Sequence, residues 1–225
     1  MSITKQRLDT KQLVLMALMT ALAYVVMYLS KLIPLNVLGF LSFDLKDVMI
    51  AISGFLFGPL SAAGIAVVVS LIEMVTISST GPIGLLMNVL SSCAFVCPAA
   101  LIYQKRRTLR GAVTGLVSGV VLVTLVMLLW NYLITPIYMG YPRAAVAELL
   151  PVIGLFNVVK AGINATLTVL LYKPLSNTLR RAHLLTPSEN GAEVPSSRKR
   201  AFLYMVAFVL LATCVLLALV LAGVI

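Results

Sequence analysis

The sequence predicts an all-α polytopic membrane protein, and three observations carry that prediction. Hydrophobic residues fill 61% of the 225 positions and charged residues only 11%, whereas a soluble domain is near half apolar and about a quarter charged. The apolar residues fall in runs of about twenty, the length at which a helix crosses a hydrocarbon core of about 30 Å. The breaks between runs stay short until residue 182. Residues 1–181 therefore read as one membrane-embedded domain, 182–200 as a polar linker and 201–225 as an additional transmembrane helix.

Taken in order, residues 1–11 are polar and basic and suit a short interfacial helix. The first run, 12–33, ends before Pro34; no small-residue cleavage site accompanies it, so it reads as a retained span and not a signal peptide. Residues 34–46 (PLNVLGFLSFDLK) are too short and irregular to cross and make a first outer loop. A second run starts near Asp47 and stops at Phe57-Gly58-Pro59, where Gly before Pro signals a turn. The third run continues to Ile77 and contains Glu73; residues 78–82 (SSTGP) make the next outer turn. The fourth run covers 83–103. The fifth begins after Arg110 and ends near Pro136, with 137–147 as a third outer loop, and the sixth covers 149–179.

The formal net charge of +10 raises the question of nucleic acid, but the placement of the charges answers it. Lys5, Arg7 and Lys11 precede the first run, Lys105, Arg106, Arg107 and Arg110 separate the fourth from the fifth, and a third group flanks the last two runs. Of the 17 Lys and Arg residues, thirteen fall on one side, Lys31, Lys46 and Arg143 on the other, and Lys160 within the membrane. That asymmetry is the positive-inside pattern. It predicts a cytoplasmic N-terminus in a multi-pass plasma-membrane protein, with the lipid bilayer as partner and no nucleic acid. Cys93, Cys97 and Cys214 sit in apolar runs and give no disulfide framework. With His183 as the one histidine, no metal site is expected.

Polar residues inside the runs are few. A lysine near mid-membrane costs at least about 2.5–3.5 kcal/mol on insertion scales, so Lys160 needs a partner or a watery cavity. Asn157, Lys160 and Asn164 are three and four positions apart and share one helical face. Glu73 in the third run, Asn88 in the fourth and Asn131 in the fifth add polar groups, and Asp44, Lys46 and Asp47 rim the first loop. A lone Asn commonly bonds only a neighbouring helix, and Glu73 with Lys160 suits a structural ion pair. A buried pair is weakly favoured by stability alone, because desolvation offsets its attraction. Groups converging from several helices favour a binding site. No GxxxxGK[ST] loop, HExxH helix, GxSxG elbow or Cys–His pair is present, so neither an enzyme nor a self-powered ATPase is expected. Amides with one base suit the edge of a small heterocycle.

Small residues recur at four-residue spacing: Ala17 and Ala21, Gly54 and Gly58, and Gly111, Gly115 and Gly119. Such stripes let helix backbones approach closely. They suit packing within the chain, and for Ala17 and Ala21 also docking to another membrane subunit.

The ordered set FDLKDV, GFLFGP, STGPIGLLMN, CPAALIY with a basic cluster, NYLITPIY and GLFNVVKAGIN resembles the riboflavin-specific substrate-binding subunits (S components) of energy-coupling factor (ECF) transporters, over about residues 12–181. The resemblance implies a six-helix S-component bundle that captures riboflavin outside, as transported ligand and not as cofactor. It implies that Asn131, Asn157 and Lys160 meet the pyrimidine edge of the flavin, with Glu73 and Asn164 near the site and Leu41, Phe43 and Asp44 lining or capping it. It further implies a transmembrane coupling subunit and two ATPase subunits as partners, docked through Ala17 and Ala21. The run 201–225 departs from the family pattern. A second reading is a self-sufficient secondary transporter of a small heterocyclic solute, with Glu73 and Lys160 as a proton relay. No convincing internal repeat supports it. A third is a structural membrane protein whose polar groups serve packing alone.

Overall fold

The computed structural model describes residues 10–32, 36–38, 40–78, 80–181 and 197–223, with the backbone alone for 180 and 197–206. Pro34, His183 and the basic residues Lys5 and Arg7 lie outside the described residues. Seven helices and one short hairpin make up the described chain: α1 (Thr10–Lys31), β1 (Asn36–Val37), β2 (Leu41–Ser42), α2 (Lys46–Phe57), α3 (Pro59–Thr76), α4 (Gly81–Lys105), α5 (Leu109–Met139), α6 (Arg143–Arg181) and α7 (Ser197–Leu221).

The helix boundaries follow local chemistry. Gly58 has φ +99°, a backbone that L side chains rarely adopt, and Pro59 opens the next helix, so α2 must end and α3 begin there. Pro82 occupies the first turn of α4. Thr108 caps α5 by accepting from the Gly111 N–H at 3.1 Å, and Gly140 in the left-handed region ends it.

Two expectations need correction. Residues 137–147 are not a loop: α5 runs through Pro136 to Met139 and α6 starts at Arg143. A proline removes one N–H but is tolerated in membrane helices where neighbours compensate; α6 likewise continues through Pro151 and Pro174. The segment 34–46 is not wholly irregular, since Asn36 pairs with Ser42 and Val37 with Leu41 in an antiparallel hairpin. We call this the hairpin end of the bundle. In addition, α7 begins at Ser197, within the stretch read as linker.

α2 is the central helix. Ten of its 12 residues are buried, and it touches α1, α3, α4 and α6. At 12 residues it is about 18 Å long, short of the roughly 30 Å hydrocarbon core. The glycine stripes pack inside the chain. A Cβ on Gly115 would sit 2.7 Å from the Ala99 carbonyl oxygen, and one on Gly54 would sit 3.0 Å from the Ala100 Cβ. Hence α5 lies against α4 at backbone contact, and α2 lies close against the Ala100 side chain of α4. In α1, Leu15, Met19, Ala23 and Met27 face the core, leaving Ala17 and Ala21 exposed on another face.

Candidate solute-binding site

Six charged side chains converge at the hairpin end. Lys31 ends α1, Asp44 precedes α2, Lys46 and Asp47 open α2, Glu73 lies in the last turn of α3, and Lys160 lies within α6. Lys31 donates to Glu73 Oε1 at 2.5 Å and Lys46 to Glu73 Oε2 at 2.7 Å. The Lys46 ammonium is also 3.9 Å from Asp44 Oδ2. That same oxygen accepts from Lys160 at 2.7 Å. Asp47 accepts from Ser92 at 2.5 Å. The lysines and two of the acids thus form one chain of ion pairs, Lys31–Glu73–Lys46–Asp44–Lys160, which is how the cost of burying them is contained. The pairing of Glu73 with Lys160 considered from sequence is not formed; each has a different partner.

The site stands on α6. Asn164 donates to the backbone carbonyls of Asp44 at 3.1 Å and Lys160 at 3.0 Å, tying the segment before α2 to the helix. Lys160 also reaches the Ser42 carbonyl at 3.5 Å. Leu41 is buried against α6 with Val37, Ile153 and Phe156, and the Phe43 ring lies 4.6 Å from that of Phe156, centroid to centroid. Burial by itself would raise the pKa of Asp44. The ammonium groups of Lys160 and Lys46, with the Lys160 hydrogen bond, outweigh it and hold the carboxyl well below its ordinary range. Asp44 Oδ1 and Asn164 Oδ1 are buried and accept no hydrogen bond from the described residues.

Two cavities open beside these groups. One is lined by Asp47, Ser91, Phe95, Val123, Asn157, Lys160 and Ala161. The other lies between α4 and α5 under Phe40, with Met87, Trp130, Asn131 and Thr135 on its wall. Asn157 donates to the Ile153 carbonyl at 2.8 Å. Asn131 donates to the Met127 carbonyl at 2.8 Å and accepts from Thr135 at 3.0 Å.

The structure therefore places Asn157 and Lys160 on one cavity, Asn131 on the other, and Asp44, Asn164, Leu41 and Phe43 directly behind Lys160 or in the hairpin beside it. Glu73 lines neither cavity; it anchors Lys46 and Lys31. Lys31, Lys46, Asp47 and Trp130 belong to this region and were not chosen from sequence as site residues. The signal for two of them was the alternation of charge in Asp44-Leu45-Lys46-Asp47 immediately before an apolar helix. Among the described residues no group of three or more His, Cys, Asp or Glu is arranged to hold a metal.

Membrane helices around an apolar cavity with a few convergent polar groups define a membrane-embedded solute-binding protein. Residues 11–172 match the family described as ECF transporter, substrate-specific component, and the chain belongs to that family. It is similar to the riboflavin transporter RibU of Staphylococcus aureus (strain TCH60), with 30% identity over 180 residues, 77% of this chain and 94% of the relative. It is also similar to the riboflavin transporter FmnP of Bacillus subtilis (strain 168), with 25% identity over 194 residues, 79% of this chain and 100% of the relative. A solved S component of a bacterial ECF transporter superposes with a TM-score of 0.62 at 27% identity, covering 76% of this chain and 98% of its own. Helices α1–α6 are accordingly the S-component bundle. The chain is the substrate-binding subunit of a transporter, not an enzyme.

Proposed function

We propose that this chain captures riboflavin from outside the cell and delivers it inward in company with an ECF transmembrane coupling subunit and two ATPase subunits. The observation that carries the substrate is the polar face of α6, where Asn157 and Lys160 line a cavity in a chain whose relatives are riboflavin transporters. The pyrimidine edge of a flavin presents two carbonyl acceptors and one N–H donor. The Lys160 ammonium and the amides of Asn157 and Asn131 match such an edge, and Phe95, Val123, Met87 and Trp130 offer apolar surface to the rings. Asp44, Asn164, Leu41 and Phe43 hold Lys160 and close the site from the hairpin side. Glu73 acts one step further back, by keeping Lys46 beside Asp44.

The N-terminus is assigned to the cytoplasm of a bacterial plasma-membrane protein by the asymmetry of its basic residues along the sequence, thirteen Lys and Arg on one side against Lys31, Lys46 and Arg143 on the other. The hairpin end then faces outward. Exposed Ala17 and Ala21 give α1 a face smooth enough for a second membrane subunit. Residues 1–181 form the S-component unit, and 201–225 an added span behind a linker. The decisive test is titration of purified protein with riboflavin, whose fluorescence falls on transfer into the site. Quenching at or below micromolar vitamin is expected. Protein that leaves riboflavin fluorescence unchanged at that concentration sinks the proposal.

A further inference from the structure

α7 lies beyond residue 172, where the family match ends. It packs along α6, with the Cys214 Sγ so near Gly162 that a Cβ there would meet it at 3.3 Å. It shares apolar clusters on α6 with the segment before α2. Ala218 forms a buried cluster with Val159 and Ile163, and Phe43 and Leu45 from the segment before α2 pack against that cluster. Leu221 packs both there and against the cluster of Val37, Leu41, Ile153 and Phe156, which seats the hairpin. The last turn of α7 and the hairpin segment therefore share two apolar clusters on α6. The same segment supplies Asp44 to Lys160 at 2.7 Å.

We infer that α7 is a built-in clamp on this segment: by packing Leu221 and Ala218 beside it, α7 stabilises the closed site and sets how fast ligand exchanges. This rests on riboflavin being the ligand, and the experiment separates the two claims. A clamp resists opening whether ligand is inside or outside, so loosening it should speed association and dissociation together and leave the equilibrium nearly unchanged.

The full chain carrying Leu221→Ser is compared with the parent and with Leu216→Ser, a substitution on the exposed face of α7. Stopped-flow riboflavin fluorescence should show both rates up by about fivefold in Leu221→Ser, the factor equivalent to ~1 kcal/mol, with Kd changed by less than about twofold. Leu216→Ser should match the parent. In ligand-free protein, amide hydrogen exchange at residues 40–45 should rise in Leu221→Ser and not in Leu216→Ser. Leu221→Ala serves for the same comparison where the serine variant does not fold. Parent-like rates and parent-like exchange in a folded Leu221 variant overturn the clamp. If the parent binds no riboflavin, the proposed substrate falls, and exchange at 40–45 still decides whether α7 holds the segment.

Discussion

The Lys160 ammonium lies 2.7 Å from Oδ2 of Asp44, a residue 116 positions earlier in the chain. This contact joins the polar face of α6 to the segment that follows the hairpin, and it fixes where the ammonium points. Lys160→Ala should weaken riboflavin binding by more than about 1 kcal/mol, because a charge-assisted hydrogen bond contributes that or more. Fluorescence titration checks it, and an unchanged Kd would remove Lys160 from the site.

Asp44 should show its role through pH. A carboxyl whose folded pKa lies below its ordinary value of 3.8 contributes stability that is fully present above that value and is lost as pH falls toward the folded one. The difference in melting temperature between the parent and Asp44→Asn should therefore be constant from about pH 8 to 5 and shrink below about pH 4. A difference that instead widens in acid would show that Asp44 is not held ionised by Lys160 and Lys46.

Glu73 should matter for stability more than for binding. Glu73→Gln leaves Lys46, 1% exposed, with only the carboxylate of Asp44 at 3.9 Å. Breaking a buried pair on one side costs about 3–5 kcal/mol. Adding Lys46→Met should recover much of the loss, since the buried charge goes with it. Thermal unfolding in detergent reads both variants; a double variant no more stable than the single one would contradict the pairing.

Ala17→Trp and Ala21→Trp should leave riboflavin binding intact and abolish uptake by cells. Both residues are exposed and neither lines a cavity. Normal uptake by the variants would move the docking face off α1.

Gly115→Leu should prevent α4 and α5 from packing, because even a Cβ at Gly115 would lie 2.7 Å from the Ala99 carbonyl. Overpacking of this kind costs typically 1–3 kcal/mol, and about the upper end is expected here, where the obstacle is backbone. Gly64→Leu, with nothing within 4 Å of its Cβ position, is the control. Equal melting temperatures for the two would refute close α4–α5 contact.

The helices were legible because each needs a run long and apolar enough to cross, and length and composition are local. The α2–α3 break was legible for the same reason: Gly58 and Pro59 state it on the spot. What escaped local reading was long-range. Nothing near Lys46 says that its partner is Glu73, 27 positions later, and nothing near Lys31 says that it shares that carboxylate. The Asn157, Lys160 and Asn164 face was visible from spacing, yet only the folded chain reveals that Asn164 holds the backbone at Asp44. Pro136 misled because a soluble helix would end there, whereas a membrane helix finds other partners for the freed carbonyl.

The brevity of α2 has a consequence for the path into the site. Its 12 residues leave about 12 Å of the bilayer core unspanned by that helix, roughly two missing turns. At that spot the protein is roofed by a two-strand hairpin and the few residues after it, instead of by a rigid rod. A doorway framed by five long helices and closed by a short flap can open without any helix tilting.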